Sequence, residues 1–285
     1  MEERAEAFAR TDRDVQPAAG AQGRTMAWKR VAGIAHNTFR EAVRDRVLYN
    51  LVLFVLLLTG AAVFIGELSG GQERKIIVDL GLSAMLLFGV FIAIFVGVGL
   101  VYKEIERRTV YTIFSKPVGR GEFLIGKYLG VCLTLLVNVG VMGAGVSLAL
   151  IYVSHGLDPL ALSIWPAILL IYVELMVLIS IALLFSSFSS PALSALLTFF
   201  VFIIGHFSAD LKGLANSMGS SAARWLFAGL YYFLPNLANL TFITPAAHGQ
   251  LPSATHVAMV TLYSLVYIVV VLAAATMIFS RRNFK

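Results

Sequence analysis

The sequence predicts an all-α integral membrane protein, in which six transmembrane helices follow an N-terminal amphipathic interfacial helix and both termini are cytoplasmic. Of the 285 residues, 59% are hydrophobic and only 13% are charged, and the mean hydropathy is +0.84. This composition is far too apolar for an ordinary soluble domain. The apolar residues form six stretches, most of them as long as the roughly 20 residues that a helix needs to cross a bilayer. Basic residues are concentrated in alternate polar segments.

The chain before the first apolar stretch divides into two parts. Residues 1–26 contain few large apolar residues, so we expect a disordered cytoplasmic tail, and Met26 is a candidate for the true start. In residues 27–46, apolar residues recur at helical spacing: Trp28, Val31, Ala35, Phe39, Ala42 and Val43. This spacing predicts an amphipathic helix in the cytoplasmic membrane interface. A cytoplasmic extension of the first span is the alternative.

The transmembrane domain is predicted over residues 47–285. Its spans are placed at 47–66, 80–101, 128–153, 162–185, 191–207 and 257–279. Only the fifth span is short. It begins at Pro191 behind Ser190, where a proline fits the first turn of a helix and a serine can cap its free N–H groups.

Small residues at four-residue spacing predict close helix packing in two spans. Gly89, Ala93 and Gly97 form such a ridge on the second span, and Gly140 with Ala144 form a shorter ridge on the third. Small side chains let two helix backbones approach closely. The ridges therefore indicate packing and not a cofactor site.

The distribution of Lys and Arg predicts the orientation. Of the 22 basic residues, 18 lie before the first span, in the loop 102–127 or after the last span, and 4 lie in the alternate loops. The positive-inside rule therefore puts both termini and this loop in the cytoplasm, and we expect a multi-pass protein of the plasma (inner) membrane. The net charge of +6 reflects this topology and gives no evidence for nucleic-acid binding.

The longest segment on the other side is the extracytoplasmic segment 208–256. It contains an aromatic cluster made of Trp225, Phe227, Tyr231, Tyr232 and Phe233. Clustered aromatic residues usually anchor a helix at the membrane surface, so a short interfacial helix is expected here. A role in gating substrate exit is the alternative.

Three short motifs resemble ATPase signatures but lack the structural context that such signatures need. Residues 68–72 read Leu-Ser-Gly-Gly-Gln, residues 121–127 read Gly-x-x-x-x-Gly-Lys, and residues 76–79 are an apolar run that ends in Asp. A phosphate-binding loop needs a Ser or Thr after its Lys to reach Mg²⁺, but Tyr128 follows here. The five histidines show no metal-ligand spacing. We therefore expect that this chain is not an enzyme and binds no metal or cofactor of its own.

The loop 102–127 is the polar segment most informative about function. It mixes charged residues with apolar ones, which are Ile105, Val110, Ile113 and Phe114. The pattern predicts a short charged helix that is stopped by Pro117 and followed by a glycine-bearing turn at 119–121. Such a composition suits a surface that binds a partner. The alternative is a solvated connector whose basic residues only fix orientation.

Three runs within this loop carry a family resemblance: Glu104-x-Glu106-x-x-Thr109, Ser115-Lys116-Pro117-Val118-x-Arg120 and Phe123-x-x-Gly126-Lys127. They resemble the loop between the second and third spans in ABC transporter permeases of the type-2 exporter family. The resemblance extends to the whole chain beyond the tail, including the break Leu-Phe-Ser-Ser-Phe-Ser-Ser-Pro at 184–191. The sequence departs from family members that carry a large extracytoplasmic domain.

The resemblance implies a permease subunit of an ATP-driven exporter. In that family two permease subunits, identical or different, pair in the membrane, and two separate ATPase subunits dock beneath them on coupling helices formed by this loop. ATP and Mg²⁺ are then expected in the partner ATPase. The resemblance assigns the coupling role to ten residues: Glu104, Glu106, Arg107, Arg108, Thr109, Ile113, Phe114, Lys116, Pro117 and Arg120.

Glu174 is the only acidic residue inside a predicted span, and it lies near the midpoint of 162–185. An acidic side chain at the bilayer centre costs about 2.5–3.5 kcal/mol, so Glu174 must face the protein interior. Asn138 and Thr198 lie at comparable depth and are its candidate partners. Glu174 is either a protonated, hydrogen-bonded helix linker or part of the transport path.

Two rival functions remain open on the sequence. In the first, the chain is a secondary transporter in which Glu174 carries a proton or an ion and no ATPase is needed. In the second, it is a non-transporting membrane subunit that assembles with an ATPase.

Overall fold

All the described secondary structure is helical. The computed structural model describes residues 27–42, 53–54, 57–58, 60–61, 72–106, 119–156, 159–208, 213 and 221–281. Within this part of the chain, four segments are helical, long and apolar enough to cross a membrane: Glu73–Gly99, Gly121–Val153, Pro159–Ser186 and Ala254–Ser280. This confirms the prediction of an all-helical integral membrane protein.

The described helices are numbered here in chain order. Helix α1 covers residues 27–42. The others are α2 (Glu73–Glu106), α3 (Arg120–Val153), α4 (Pro159–Ser163), α5 (Trp165–Ser186), α6 (Pro191–His206), α7 (Ser221–Phe233), a 3-10 helix (Leu237–Leu240), α8 (Ile243–Ala247) and α9 (Ala254–Arg281). The tail 1–26 and most of the predicted first span 47–66 lie outside the described residues. The count of six spans therefore stays a prediction.

Helices α2 and α3 are longer than the spans predicted at 80–101 and 128–153. Each contains 34 residues, which corresponds to about 51 Å, well beyond a hydrocarbon core of about 30 Å. Residues 102–106 contain Lys and Glu and no Gly or Pro, so nothing in their propensities stops α2 at the membrane surface. The polar loop predicted over 102–127 is therefore helical at both of its ends.

Helix α5 is the centre of the bundle because it is apolar on all sides and buried along most of its length. It packs against α2, α3, α6 and α9. The ridge predicted on the second span meets it directly: a Cβ added at Gly89 would lie 2.5 Å from Leu175 Cδ1, and one at Gly97 would lie 3.1 Å from Ala182 Cβ. The prediction of close packing at this ridge is confirmed.

The ridge predicted on the third span does not meet another described helix. A Cβ added at Gly140 would find no described atom within 4 Å, and Ala144 is exposed. The close approach of α3 to α5 uses Gly143 instead, where a Cβ would lie 2.9 Å from Ile168 Cδ1. The spacing of small residues predicted the packing, but it did not show which glycine faces the neighbour.

Helix α6 begins at Pro191, as predicted. Ser190 precedes it in an extended conformation, but its side chain makes no capping hydrogen bond with the described residues. Its carbonyl oxygen instead accepts a hydrogen bond of 2.8 Å from the backbone N–H of Ser194. The 16 residues of α6 correspond to about 24 Å, less than the thickness of the hydrocarbon core.

The bundle has two distinct ends. Gly81 near the start of α2 packs on Val146 near the end of α3, so these two helices run antiparallel. The end that holds the starts of α2 and α9, together with α4, the 3-10 helix and α8, is called the α8 end. The opposite end holds α1, the start of α3 and the end of α9, and it is called the α1 end. There, a Cβ at Gly121 would lie 3.2 Å from Thr276 Cγ2.

Candidate functional site

The segment predicted to couple to an ATPase joins two packed helices at the α1 end. Glu104 and Glu106 lie in the last turns of α2, and Arg120 is the first residue of α3. The remaining predicted coupling residues lie outside the described residues: Arg107, Arg108, Thr109, Ile113, Phe114, Lys116 and Pro117. The coupling helix therefore stays a prediction, while its two ends are located.

Helix α1 packs on the first turns of α3, immediately after this segment. A Cβ added at Gly126 would lie 2.8 Å from Ile34 Cβ, and one added at Gly130 would lie 2.6 Å from Thr38 Cβ. Any larger residue at either glycine would push the two helices apart. The four-residue spacing on each helix makes this a contact along two matched faces.

Two ion pairs extend the contact between α1 and α3. Arg30 holds Glu122 in a bidentate arrangement, with Nε 2.9 Å from Oε2 and Nη2 2.8 Å from Oε1. The hydrogen bond to Glu122 raises the pKa of Arg30, so Arg30 stays charged. The buried ammonium group of Lys127 lies 3.7 Å from Glu41 Oε2. The bidentate pair of Arg30 and Glu122 fixes the orientation of the two helices as well as adding energy.

The sequence analysis missed this interface. In the sequence, Arg30 and Glu41 fall between the apolar residues of the helix, and this spacing does not reveal that they meet α3. The available signal was the spacing of Gly126 and Gly130, which repeats that of the other small-residue ridges.

The motif at residues 121–127 does not form a phosphate-binding loop. These residues lie inside helix α3, and the backbone N–H of Phe123 already donates to the carbonyl oxygen of Gly119 at 3.0 Å. A phosphate-binding loop needs its backbone N–H groups free to hold phosphates. Lys127 of the motif points instead toward Glu41.

A second polar site lies inside the bundle, where Glu174 on α5 is fully buried. The expectation that it faces inward is confirmed. Its expected partners are wrong, because Asn138 Nδ2 donates to the carbonyl oxygen of Thr134 at 3.1 Å and the Thr198 hydroxyl donates to the carbonyl oxygen of Ser194 at 2.7 Å. Such local bonds engage polar side chains within their own helix, and Asn138 Oδ1 is left without a hydrogen-bond partner among the described residues.

The group that meets Glu174 is His206, the last residue of α6. Its Nε2 lies 3.4 Å from Glu174 Oε1. Neither carboxyl oxygen of Glu174 has a hydrogen-bond partner that meets ordinary geometry among the described residues. The spacing of the histidines excludes a metal site in the sequence but does not reveal a histidine that meets a single acid. The signal that could have found the pair is a histidine at the end of a short span that follows the span with the buried acid.

His206 also contacts the segment that follows α7. Its Nε2 lies 3.1 Å from the hydroxyl oxygen of Thr241, and its Nδ1 lies 3.1 Å from the carbonyl oxygen of Phe202. Thr241 is exposed. The arrangement thus joins a fully buried carboxyl group to the surface of the α8 end through one imidazole ring. Among the residues that the structure describes, no group of three or more His, Cys, Asp or Glu side chains could hold a metal ion.

The predicted outer segment 208–256 is partly helical and partly buried. Helix α7 carries the aromatic cluster, and its Trp225 and Phe233 are each 80% exposed. Leu237 and Leu240 in the 3-10 helix are buried instead. Trp225 and Phe233 are thus available to a membrane surface, whereas the 3-10 helix lies against α5 and α6.

Comparison with known proteins identifies a family. A family model described as ABC-2 family transporter protein matches residues 32–284, which includes α1 from its sixth residue and every later helix. No curated protein matches the chain.

Proposed function

The chain belongs to the ABC-2 family of transporter proteins, and from this premise we propose that it is the permease subunit of an ATP-driven exporter. The subunit forms the translocation path across the plasma membrane. A separate ATPase subunit hydrolyses ATP with its own Mg²⁺, so this chain carries no catalytic residue. The single observation that carries the proposal is the family match over 32–284.

The contact with the ATPase is assigned to residues 104–120. Ile113 and Phe114 fill an apolar cleft of the ATPase, and Glu106, Arg107 and Arg108 set orientation at the rim. The structure supports this assignment through the flanking helices, because α2 and α3 are long, antiparallel and packed along their length. A displacement at residues 107–118 would therefore move two long helices of the bundle.

Helix α1 braces the same region. It is locked to the first turns of α3 by Gly126, Gly130 and the Arg30–Glu122 pair. In the proposed mechanism, closure of the ATPase dimer moves the coupling segment together with α1 and the start of α3. The translocation path then alternates between its two openings.

The proposed orientation puts the α1 end in the cytoplasm, in agreement with the 18 of 22 basic residues on that side. A second permease subunit, identical or different, completes the transporter. The outward faces of α3 and α9 are available for it or for lipid, since both expose large apolar residues such as Leu133 and Leu262.

Purification of the chain from its native membranes tests the proposal. We expect a protein with an ATP-binding site to co-elute, and Phe114→Ala to weaken its binding at least about fivefold, because truncating an interface anchor commonly costs more than about 1 kcal/mol. Lys75→Ala is the matched control, since Lys75 is exposed at the α8 end and should leave binding unchanged.

Two outcomes would contradict the proposal. If Phe114→Ala, Glu106→Ala and Arg107→Ala all retain full assembly and coupled hydrolysis, the loop is a charged connector. If purified chain alone carries a proton-coupled flux without ATP, and Glu174→Gln abolishes it, the chain is a secondary transporter.

A further inference from the structure

Glu174 and His206 form a buried acid–base pair that the proposed ATPase coupling does not use. They lie on different helices, α5 and α6, with Glu174 Oε1 3.4 Å from His206 Nε2. Glu174 is fully buried, whereas about a quarter of the His206 side chain is exposed. An ionisable side chain inside a membrane bundle usually marks a functional path and needs a stated partner.

The tautomer of His206 follows from its contacts. Nδ1 lies 3.1 Å from the carbonyl oxygen of Phe202, and a carbonyl oxygen only accepts, so Nδ1 carries a hydrogen. Nε2 is therefore the ring atom whose protonation can change. It faces two oxygens at once, Glu174 Oε1 and the Thr241 hydroxyl.

The number of protons on the Glu174–His206 pair decides which state fits this geometry. A carboxylate and an unprotonated Nε2 both only accept, so their approach to 3.4 Å is favourable only when at least one of the two groups carries a proton. With no proton, the protein would bury an unpaired carboxylate, and with two it would bury an imidazolium without its anion, and both states are costly. With one proton, the pair is either a carboxyl group that donates to Nε2 or a carboxylate beside an imidazolium.

We propose that Glu174 and His206 form a proton-binding site that holds one shared proton and exchanges it with water at the α8 end. The exchange takes place at the partly exposed ring of His206, and it is faster when the segment 235–241 moves away from the ring. This proton-binding site is separate from the proposed contact with the ATPase and does not depend on it. In the proposed orientation, it gives the transporter a step that responds to extracytoplasmic pH.

The segment 235–241 is the cover of this site. Leu237 is fully buried on Gly205, where an added Cβ would lie 2.8 Å from Leu237 Cγ and 2.9 Å from the carbonyl oxygen of Pro235. Thr241 contacts Nε2 from the exposed side. From α9, His256 Nε2 lies 3.2 Å from the carbonyl oxygen of Asn239. One short segment therefore covers part of His206 at the α8 end and leaves about a quarter of its side chain exposed.

Other titratable side chains on the packed helices bond to groups other than Glu174 and His206 or lie near the helix ends, except Cys132 and Tyr267, which lie within α3 and α9. The Tyr172 hydroxyl donates to the carbonyl oxygen of Cys132, and the Tyr128 hydroxyl to that of Met176. On α9, the Tyr263 hydroxyl accepts from the backbone N–H of Asn236. The remaining titratable side chains described on α2, α3 and α9 are Glu73, Arg74, Lys75, Asp79, Glu122, Lys127, Cys132, Tyr152, His256 and Tyr267.

Every hydrogen of the site can be accounted for when the proton is released. The shared proton passes from Nε2 or the carboxyl group to water, which leaves a carboxylate and a neutral imidazole that keeps its Nδ1 hydrogen. The Thr241 hydroxyl can then donate to Nε2, and uptake reverses these changes.

Infrared difference spectroscopy of the full chain in lipid nanodiscs, between acidic and alkaline buffer, tests for the proton site. We expect a band of a protonated carboxyl group or of an imidazolium that changes with pH in the wild type, is lost in Glu174→Gln and no longer titrates over the same range in His206→Gln. Size-exclusion profiles check that both variants are folded. An unchanged band in Glu174→Gln, or no titration in the wild type, would overturn the proposal.

Hydrogen exchange of the segment 235–241 tests the link to its cover. At one fixed pH, His206→Gln should raise exchange of this segment about fivefold, the factor expected from the loss of one hydrogen bond. His248→Gln is the matched control, because among the described residues the His248 Nδ1 contact is with the neighbouring turn, at the carbonyl oxygen of Thr244. Equal exchange in wild type and His206→Gln would show that the segment does not cover the site.

Discussion

Gly130 is the residue whose side-chain size most constrains the interface between α1 and α3. A Cβ there would lie 2.6 Å from Thr38 Cβ and 2.7 Å from the carbonyl oxygen of Ala35. The second of these atoms belongs to the backbone and cannot turn away. Gly130→Ala should therefore separate the helices and cost about 1–3 kcal/mol, as overpacking commonly does.

The control for this prediction lies on the same helix. A Cβ at Gly140 meets no described atom within 4 Å, so Gly140→Ala should keep or raise stability, because Ala favours a helix by about 1 kcal/mol over Gly. Thermal unfolding of both variants in detergent checks the pair. A lower Tm for Gly140→Ala than for Gly130→Ala would contradict the packing described for α1.

The inward position of Glu174 could be predicted because one physical rule decides it. A carboxyl group is too costly to expose to lipid. Its partner could not be predicted in the same way. Asn138 and Thr198 lay at the right depth, but each bonds a carbonyl oxygen on its own helix, and depth alone does not report the rotation of a helix. His206 became the neighbour through the packing of α6 on α5.

At the scale of elements, α1 is a docked helix as well as an amphipathic one. The sequence predicted a helix over 27–46, and residues 27–42 are helical. The apolar pattern did not separate the side that meets α3 from the side that is free. Trp28 in that pattern is 69% exposed, whereas the polar Thr38 is fully buried. Hydrophobic spacing reports burial in lipid and in protein alike.

The Arg30–Glu122 pair gives the element-scale prediction. Reversing one charge, as in Arg30→Glu or Glu122→Arg, should loosen α1 and speed tryptic cleavage after the exposed Arg40 several-fold. The double reversal should restore the wild-type rate, because it rebuilds the pair in the opposite sense. Lys75→Glu, at the α8 end, serves as the control. Equal cleavage in all four variants would mean that the pair does not hold α1.

Helices α2 and α3 extend past the predicted spans for a physical reason. Hydropathy marks where apolar residues end, but a helix continues through charged residues of high helix propensity such as Lys103 and Glu104. The start of α6 was predicted correctly, since Pro191 imposes a local stop and start that does not depend on the membrane.

At the scale of the whole molecule, the antiparallel arrangement predicts opposite compartments for the two ends. The single cysteine, Cys132, is buried, so a cysteine introduced elsewhere reports its own surroundings. In intact cells, an impermeant thiol reagent should label Gln250→Cys at the α8 end and spare Lys29→Cys in α1. Labelling of Lys29→Cys with protection of Gln250→Cys would invert the proposed orientation.

The general architecture could be predicted because the composition alone requires a membrane protein. An α-helix makes all its backbone hydrogen bonds within its own segment, as the bilayer requires. The long segment 208–256 was harder to predict. Its 3-10 helix is buried against α5 and α6, and its helix α8 is buried against α2. The sequence contains no local signal for such a contact between distant segments.

Site-specific photo-crosslinking tests the central claim most directly. A photoreactive amino acid placed at Phe114, in native membranes, should form a covalent adduct with a protein that binds ATP, whereas the same group at Gln250 should not. That pattern would identify the segment between α2 and α3 as the docking site of a separate ATPase. Equal capture of an ATPase from both positions, or none from Phe114, would contradict the account.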